Sequence, residues 1–127
     1  MFTRHQDPVA ARLRALDLPR VAAERLSRGG TPIELAAGST LCEEGERGTQ
    51  AFLLLEGQAD VILPDAVVRV GPGDVVGEIA TLDHHRTRNA TVRTTTDVLA
   101  LVYDPPTYRD LARDERLRDR LVPRRAA

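Results

Sequence analysis

Apolar residues at Val9, Leu13, Leu16, Val21 and Leu26 recur at roughly helical spacing among arginines and glutamates, and Pro19 divides the run. The pattern predicts two short helices. Pro19 falls in the first turn of the second, where a missing N–H costs nothing, and Gly29-Gly30 supply a stop able to take positive φ. Beyond Gly30 the texture changes to short β-type runs, Ile33 to Leu35, Ala51 to Leu55, Ala59 to Leu63 and Ala66 to Val70, with Leu41-Cys42 in a further short strand. Turn residues separate them: Gly38-Ser39, Glu43-Glu44-Gly45-Glu46, Glu56-Gly57, Pro64-Asp65 and Gly71-Pro72-Gly73-Asp74.

Two more strands follow a central polar stretch. Asn89 to Thr95 alternates Ala90 and Val92 against Thr91 and Arg93, and Val98 to Val102 is almost continuously apolar. Asp104 can then cap a helix with Pro105-Pro106 in its first positions and an apolar stripe of Tyr108, Leu111, Leu117 and Leu121 running as far as Pro123. No crossover helices separate the strands, so the predicted class is mainly β: an antiparallel β-roll, jelly-roll-like, flanked by short N-terminal and C-terminal helices. The expected organisation is one domain, made of a helical segment 1–30, a roll 31–103 and C-terminal helices and tail 104–127.

Composition narrows the function classes. A length of 127 residues with 42% hydrophobic content supports one core. The net charge of −1 provides no basic field for direct nucleic-acid contact. All 18 basic residues are arginines, a bias that suits bidentate anion binding even where base composition causes it. Cys42 is the single cysteine, which excludes an internal disulfide or a thiolate cluster and fits a reducing cytoplasm. No apolar run approaches membrane-spanning length, and no secretory leader is recognisable.

Candidate chemistry concentrates in Gly77-Glu78-Ile79-Ala80-Thr81-Leu82 and the following segment to Arg88-Asn89-Ala90-Thr91-Val92, a cassette spanning 77–92. Glu78 and Ile79-Ala80 can begin a short helix whose first N–H groups face an anion, and Arg88 can return a guanidinium to the same place. A phosphodiester, with one charge and two exposed oxygens, matches that donor set. An ionised glutamate beside it only accepts hydrogen bonds, so Glu78 argues for a sugar hydroxyl next to the phosphate. One phosphate, one free hydroxyl and a base describe a cyclic nucleotide.

Together, Phe52-Leu53-Leu54-Leu55-Glu56-Gly57, Gly71-Pro72-Gly73-Asp74-Val75-Val76-Gly77-Glu78-Ile79-Ala80 and Arg88-Asn89-Ala90-Thr91-Val92 resemble the cyclic nucleotide-binding domain family, over almost the whole chain. The resemblance implies an N-terminal helical piece, an eight-stranded roll, a phosphate-binding cassette and C-terminal helices. It further implies that Glu78 takes the ribose 2′-hydroxyl and that Arg88 pairs with the cyclic phosphate. Gly77, Ile79 and Ala80 are implied to give backbone contacts, with Asn89 and Ala90 continuing the site. The ten-residue step from Glu78 to Arg88 is similar to that of bacterial catabolite activators. Thr87 stands where many members carry proline, which opens Arg86 as a substitute, but Arg88 is preferred because Asn89-Ala90-Thr91-Val92 follows it as the family's strand does. Asn89 occupies the position that bears on base preference. Its amide is able both to donate to phosphate and to accept from a purine amino group, so cAMP and cGMP both stay open, with cAMP preferred.

Duller readings compete. Glu78 and Arg88 could simply pair with each other. Asp83-His84-His85, with the Gly71-Pro72-Gly73 turn, gives some cupin-like metal character. Against this, adjacent histidines share no helix face and no third ligand stands at metal spacing, so a solvated loop is expected and no metal cofactor. Cys42 reads as a small core residue, and the charges from Arg109 to Arg125 as the wet face of a helix, with Arg124-Arg125 available to a partner. No activated nucleophile or metal cluster for hydrolysis can be assembled, so the chain is expected not to be an enzyme. The expected role is a cyclic nucleotide-sensing regulatory module in signal transduction. It would act through movement of its C-terminal helices on a protein partner or a separate output domain, with homodimerisation open. The alternative is a ligand-free roll serving as an interaction surface.

Overall fold

The structure, a computed structural model, describes residues 8–82 and 87–122. Helices α1 (Pro8–Ala15) and α2 (Arg20–Gly29) precede strands β1 (Thr31–Leu35), β2 (Thr40–Cys42), β3 (Ala51–Glu56), β4 (Ala59–Ile62), β5 (Val67–Val70) and β6 (Val75–Val76). Helix α3 (Glu78–Leu82) is followed by β7 (Thr91–Thr94), β8 (Val98–Tyr103), α4 (Pro105–Ala112) and α5 (Arg118–Leu121). Two four-stranded sheets, ordered β1-β8-β3-β6 and β2-β7-β4-β5, pair antiparallel throughout and form the roll.

Why β3 and β8 lack the usual alternation follows from their surroundings. One face of each, through Phe52, Leu54, Val98 and Ala100, packs inside the roll with Cys42, Ala59, Val76 and Val92. The opposite face, through Ala51, Leu53, Leu55, Leu99, Leu101 and Tyr103, packs against the helices at Leu13, Leu26, Tyr108, Leu111 and Leu121. A strand covered on both faces must be apolar at every position, and Ala51–Leu55 is buried without a break. The helices thereby become part of the core. Tyr103 Oη donates to Leu26 O at 2.7 Å and Tyr108 Oη donates to Leu121 O, so both phenols are satisfied where they are buried.

The structure corrects the predicted elements in three places and adds β6, which the pattern did not predict. Pro19 occupies the N-cap of α2, one residue before its first turn. Gly30 is extended at φ −107, not in the left-handed region. Its lack of a side chain is needed for space instead, since a Cβ there would lie 2.9 Å from the Tyr103 ring. Strand β6 has only two residues, too few to show a period. Lastly, the continuous C-terminal helix is broken: α4 ends at Ala112, and Asp114 turns the chain by accepting from the Arg116 backbone N–H at 2.9 Å. Asp104 does cap α4, accepting from Thr107 N–H at 3.0 Å.

Candidate functional site

Strand β6 leads into Gly77, whose φ of +82 lies in the left-handed region that glycine adopts without strain, and this reversal starts α3 at Glu78. The first N–H groups of such a helix have no acceptor within it. On the other side, Arg88 enters just before β7. Its backbone is clamped to the loop between β2 and β3 by Arg88 N–H to Glu46 O at 2.8 Å and Gly45 N–H to Arg88 O at 2.9 Å.

The Arg88 side chain is only 7% exposed. Nη1 donates to Gly77 O at 3.0 Å and Nη2 donates to Gln50 O at 2.8 Å. A guanidinium carries five N–H donors, so two carbonyls pin its plane and leave donors for an anion. Gly48 lies directly against it: a Cβ on Gly48 would fall 1.8 Å from Arg88 Nε. Thr81 fastens α3 to the same loop. Its Oγ1 lies 2.8 Å from Thr49 O and 2.9 Å from Gly77 O, so one hydroxyl proton serves two carbonyls.

These groups border a cavity of about 190 Å³. Of the residues expected from the sequence, Gly77, Glu78, Ile79, Arg88, Asn89 and Ala90 all line it, and Ala80 follows as the third residue of α3. Arg86, the alternative to Arg88, and the Asp83-His84-His85 metal reading lie outside the described residues, as do Arg124-Arg125. Among the described residues no group of three or more His, Cys, Asp or Glu is placed to hold a metal ion. No described helix is long and apolar enough to cross a membrane.

Several participants escaped the sequence reading. Cys42 is a core residue as expected, and it also lines the cavity. Burial pushes its thiol above the ordinary value, the Arg88 charge pulls it down and Glu78 pushes it up, leaving a neutral, small wall group at neutral pH. The aliphatic wall of Val61, Leu63, Val68 and Val70 was legible only as the alternating face of a hairpin. The Gly48-Thr49-Gln50 loop gave no local signal, because its role is a contact with a residue some forty positions away.

The charges after Arg109 are less solvated than predicted. Arg109 Nη1 donates to Thr81 O at 3.3 Å, joining α4 to the end of α3. Arg120 Nη1 donates to Gly73 O at 3.1 Å and Nη2 to Leu16 O at 3.4 Å. Burial, and then the Glu78 carboxylate, raise the Tyr108 phenol well above its ordinary value, which puts α4 within electrostatic reach of the cavity.

Comparison with known proteins places the fold in a family. Over 100 residues the chain is 35% identical to a cyclic nucleotide-gated potassium channel of Rhizobium etli, covering 79% of this chain and 28% of the channel. Over 77 residues it is 38% identical to a cAMP-dependent protein kinase regulatory subunit of Schizosaccharomyces pombe, covering 59% of this chain and 18% of that subunit. It thus spans less than a third of either curated relative. A solved structure of PKAR CBD2 bound to Sp-2Cl-cAMPS shares the fold at a TM-score of 0.72 and 22% identity, over 90% of this chain and 80% of the other. The profile of the cyclic nucleotide-binding domain matches residues 32–115, from β1 to just past α4, and so contains both sheets, the cavity and the Arg88 clamp. On that extent of agreement, the chain belongs to the cyclic nucleotide-binding domain family, a family of regulatory domains.

Proposed function

We propose that this chain is the sensing unit of a cyclic nucleotide-controlled system, with cAMP as its ligand. Arg88 holds the cyclic phosphate together with N–H groups at the start of α3, from Gly77 through Ala80. Glu78 accepts from the ribose 2′-hydroxyl, and Asn89 and Ala90 continue the wall. The observation that carries this reading is the buried Arg88 guanidinium, fixed at the edge of the cavity by two backbone carbonyls and facing the same space as Glu78. A cation held in place before the anion arrives loses little freedom on binding it. The helical segment, roll and C-terminal helices act as one unit whose response is read by a partner protein or an output domain.

Titration calorimetry with cAMP tests the assignment. Wild type binds one equivalent, and Arg88→Gln, with unchanged circular dichroism, weakens binding by about thirtyfold or more, as loss of a buried charged hydrogen-bond partner costs 2–5 kcal/mol. A folded wild type that shows no heat and no thermal shift at saturating cyclic nucleotide defeats the reading and favours a ligand-free interaction module, because any ligand of the native state alone raises apparent stability.

A further inference from the structure

The antiparallel ladder between β3 and β6 ends at Phe52 opposite Val76. Just beyond it Gly77 and Gln50 still lie face to face, since a Cβ on Gly77 would fall 2.7 Å from Gln50 O. Two side chains span the strands at that point. Arg88 donates to Gly77 O and to Gln50 O, while Thr81 Oγ1 stands 2.9 Å from Gly77 O and 2.8 Å from Thr49 O. The bridges run in parallel, sharing Gly77 O at one end and using successive carbonyls at the other.

A threonine in a helix commonly bonds the carbonyl four residues back, and the approach of Thr81 to Gly77 O is such a contact. Lone-pair accounting sends its proton elsewhere. Gly77 O already accepts Arg88 Nη1 at 3.0 Å and Thr81 N–H at 3.3 Å, which fills both of its lone pairs. The hydroxyl proton therefore goes to Thr49 O, the shorter contact and the one that leaves the helix. Thr81 is wholly buried, so that carbonyl is its means of staying paired.

An anion treats the two bridges differently. A phosphate oxygen is a stronger acceptor than a peptide carbonyl and competes for the guanidinium, whereas Thr81 does not line the cavity and keeps its bond. On the reading that Arg88 takes the cyclic phosphate, we infer that Thr81 is a positioning residue of the anion site. Its hydroxyl fixes the separation of the two segments whose carbonyls hold the Arg88 guanidinium, and so raises ligand affinity through Arg88 without touching the ligand.

Thr81→Val keeps the shape and removes the hydroxyl, and Thr81→Ser keeps the hydroxyl and removes a methyl. Thr49 is exposed, so water takes over at its carbonyl and Thr81→Val folds. Calorimetry with cAMP on the whole chain shows Thr81→Val weakened about three- to tenfold, the worth of one hydrogen bond, and Thr81→Ser within about twofold of wild type. Melting curves do not follow that order: Thr81→Ser leaves a methyl-sized gap at a closed position and melts below wild type although its affinity is kept. In the Arg88→Gln background the Thr81→Val loss disappears, because a residue acting through Arg88 has nothing left to position. Wild-type affinity in Thr81→Val, equal losses of affinity in Thr81→Val and Thr81→Ser, or a Thr81→Val loss that persists undiminished beside Arg88→Gln overturns the inference. A wild type that does not bind cAMP, or an Arg88→Gln that binds it as tightly as wild type, instead removes the parent assignment and this inference with it.

Discussion

The smallest decisive feature is the contact between Gly48 and Arg88. A guanidinium on a long side chain has rotamer freedom worth about 2 kcal/mol, and an anion site gains when that freedom is already spent in the empty protein. Two carbonyls fix the plane of Arg88 and the bare Cα of Gly48 lets it lie flat against the loop. Gly48→Ala puts a methyl 1.8 Å from Nε, so the side chain has to leave. Its departure leaves Gly77 O and Gln50 O without that donor, so the thermal midpoint falls as well. Affinity for cAMP falls by about tenfold or more, the equivalent of one charge-assisted hydrogen bond. Calorimetry beside a melting curve checks both halves. Full affinity in Gly48→Ala would show that the packing does not position the guanidinium.

Among the elements, the break between α4 and α5 organises the C-terminal region. The Asp114 side chain is 5% exposed and lies 2.7 Å from Arg25 of α2 and 2.6 Å from Arg116, while Arg25 also reaches Asp110 at 2.9 Å. Hydrogen bonds from Arg116 and then from Arg25 hold the Asp114 carboxyl far below its ordinary value of 3.8. The Thr107 hydrogen bonds at the α4 cap lower Asp104 as well. The native state therefore binds fewer protons than the unfolded chain in acid, and stability rises with pH there. That contribution is complete above the unfolded carboxylate pKa and drains away as the pH falls from about 4 toward the depressed native value. The urea midpoint of the wild type drops between about pH 5 and about pH 3, and Asp114→Asn, already less stable at neutral pH, drops less. Equal slopes in the two proteins would contradict this.

Asp114 also shows where sequence pattern runs out. The stripe Tyr108, Leu111, Leu117, Leu121 is consistent with one helix, and nothing local reveals that Asp114 accepts from Arg116 to end it. The roll was legible because β3 and β8 carry long β-type runs, and Asp104-Pro105-Pro106 announced α4 correctly. Glu78 and Arg88 were legible as a charge pair flanked by glycine and a β-branched strand. The parts that hold Arg88, namely Gly48, Gln50 O and Thr81, depend on backbone positions brought together only by the fold, and carbonyl acceptors have no residue type.

At the scale of the whole molecule, the cavity and the helices meet along residues 73–82. Gly73 O accepts from Arg120 of α5, Thr81 O accepts from Arg109 of α4, and Arg120 also reaches Leu16 just past α1. Both ends of the strip that carries Gly77 and Glu78 are thus fastened to the C-terminal helices. A ligand shifts only states it contacts differently, and the groups proposed to contact it are one or two hydrogen bonds from α4 and α5. On the proposed reading, a phosphate bound at the start of α3 acts on the element whose last turn holds the 3.3 Å Arg109 bond. Amide exchange of residues 104–122 therefore changes on saturation with cAMP, whereas the doubly covered strands β3 and β8 stay protected in both states. Arg109→Gln and Arg120→Gln still bind cAMP but show a blunted exchange response in α4 and α5. Identical protection with and without ligand in the wild type would mean that binding ends at the cavity, and that any output must be read from the roll itself.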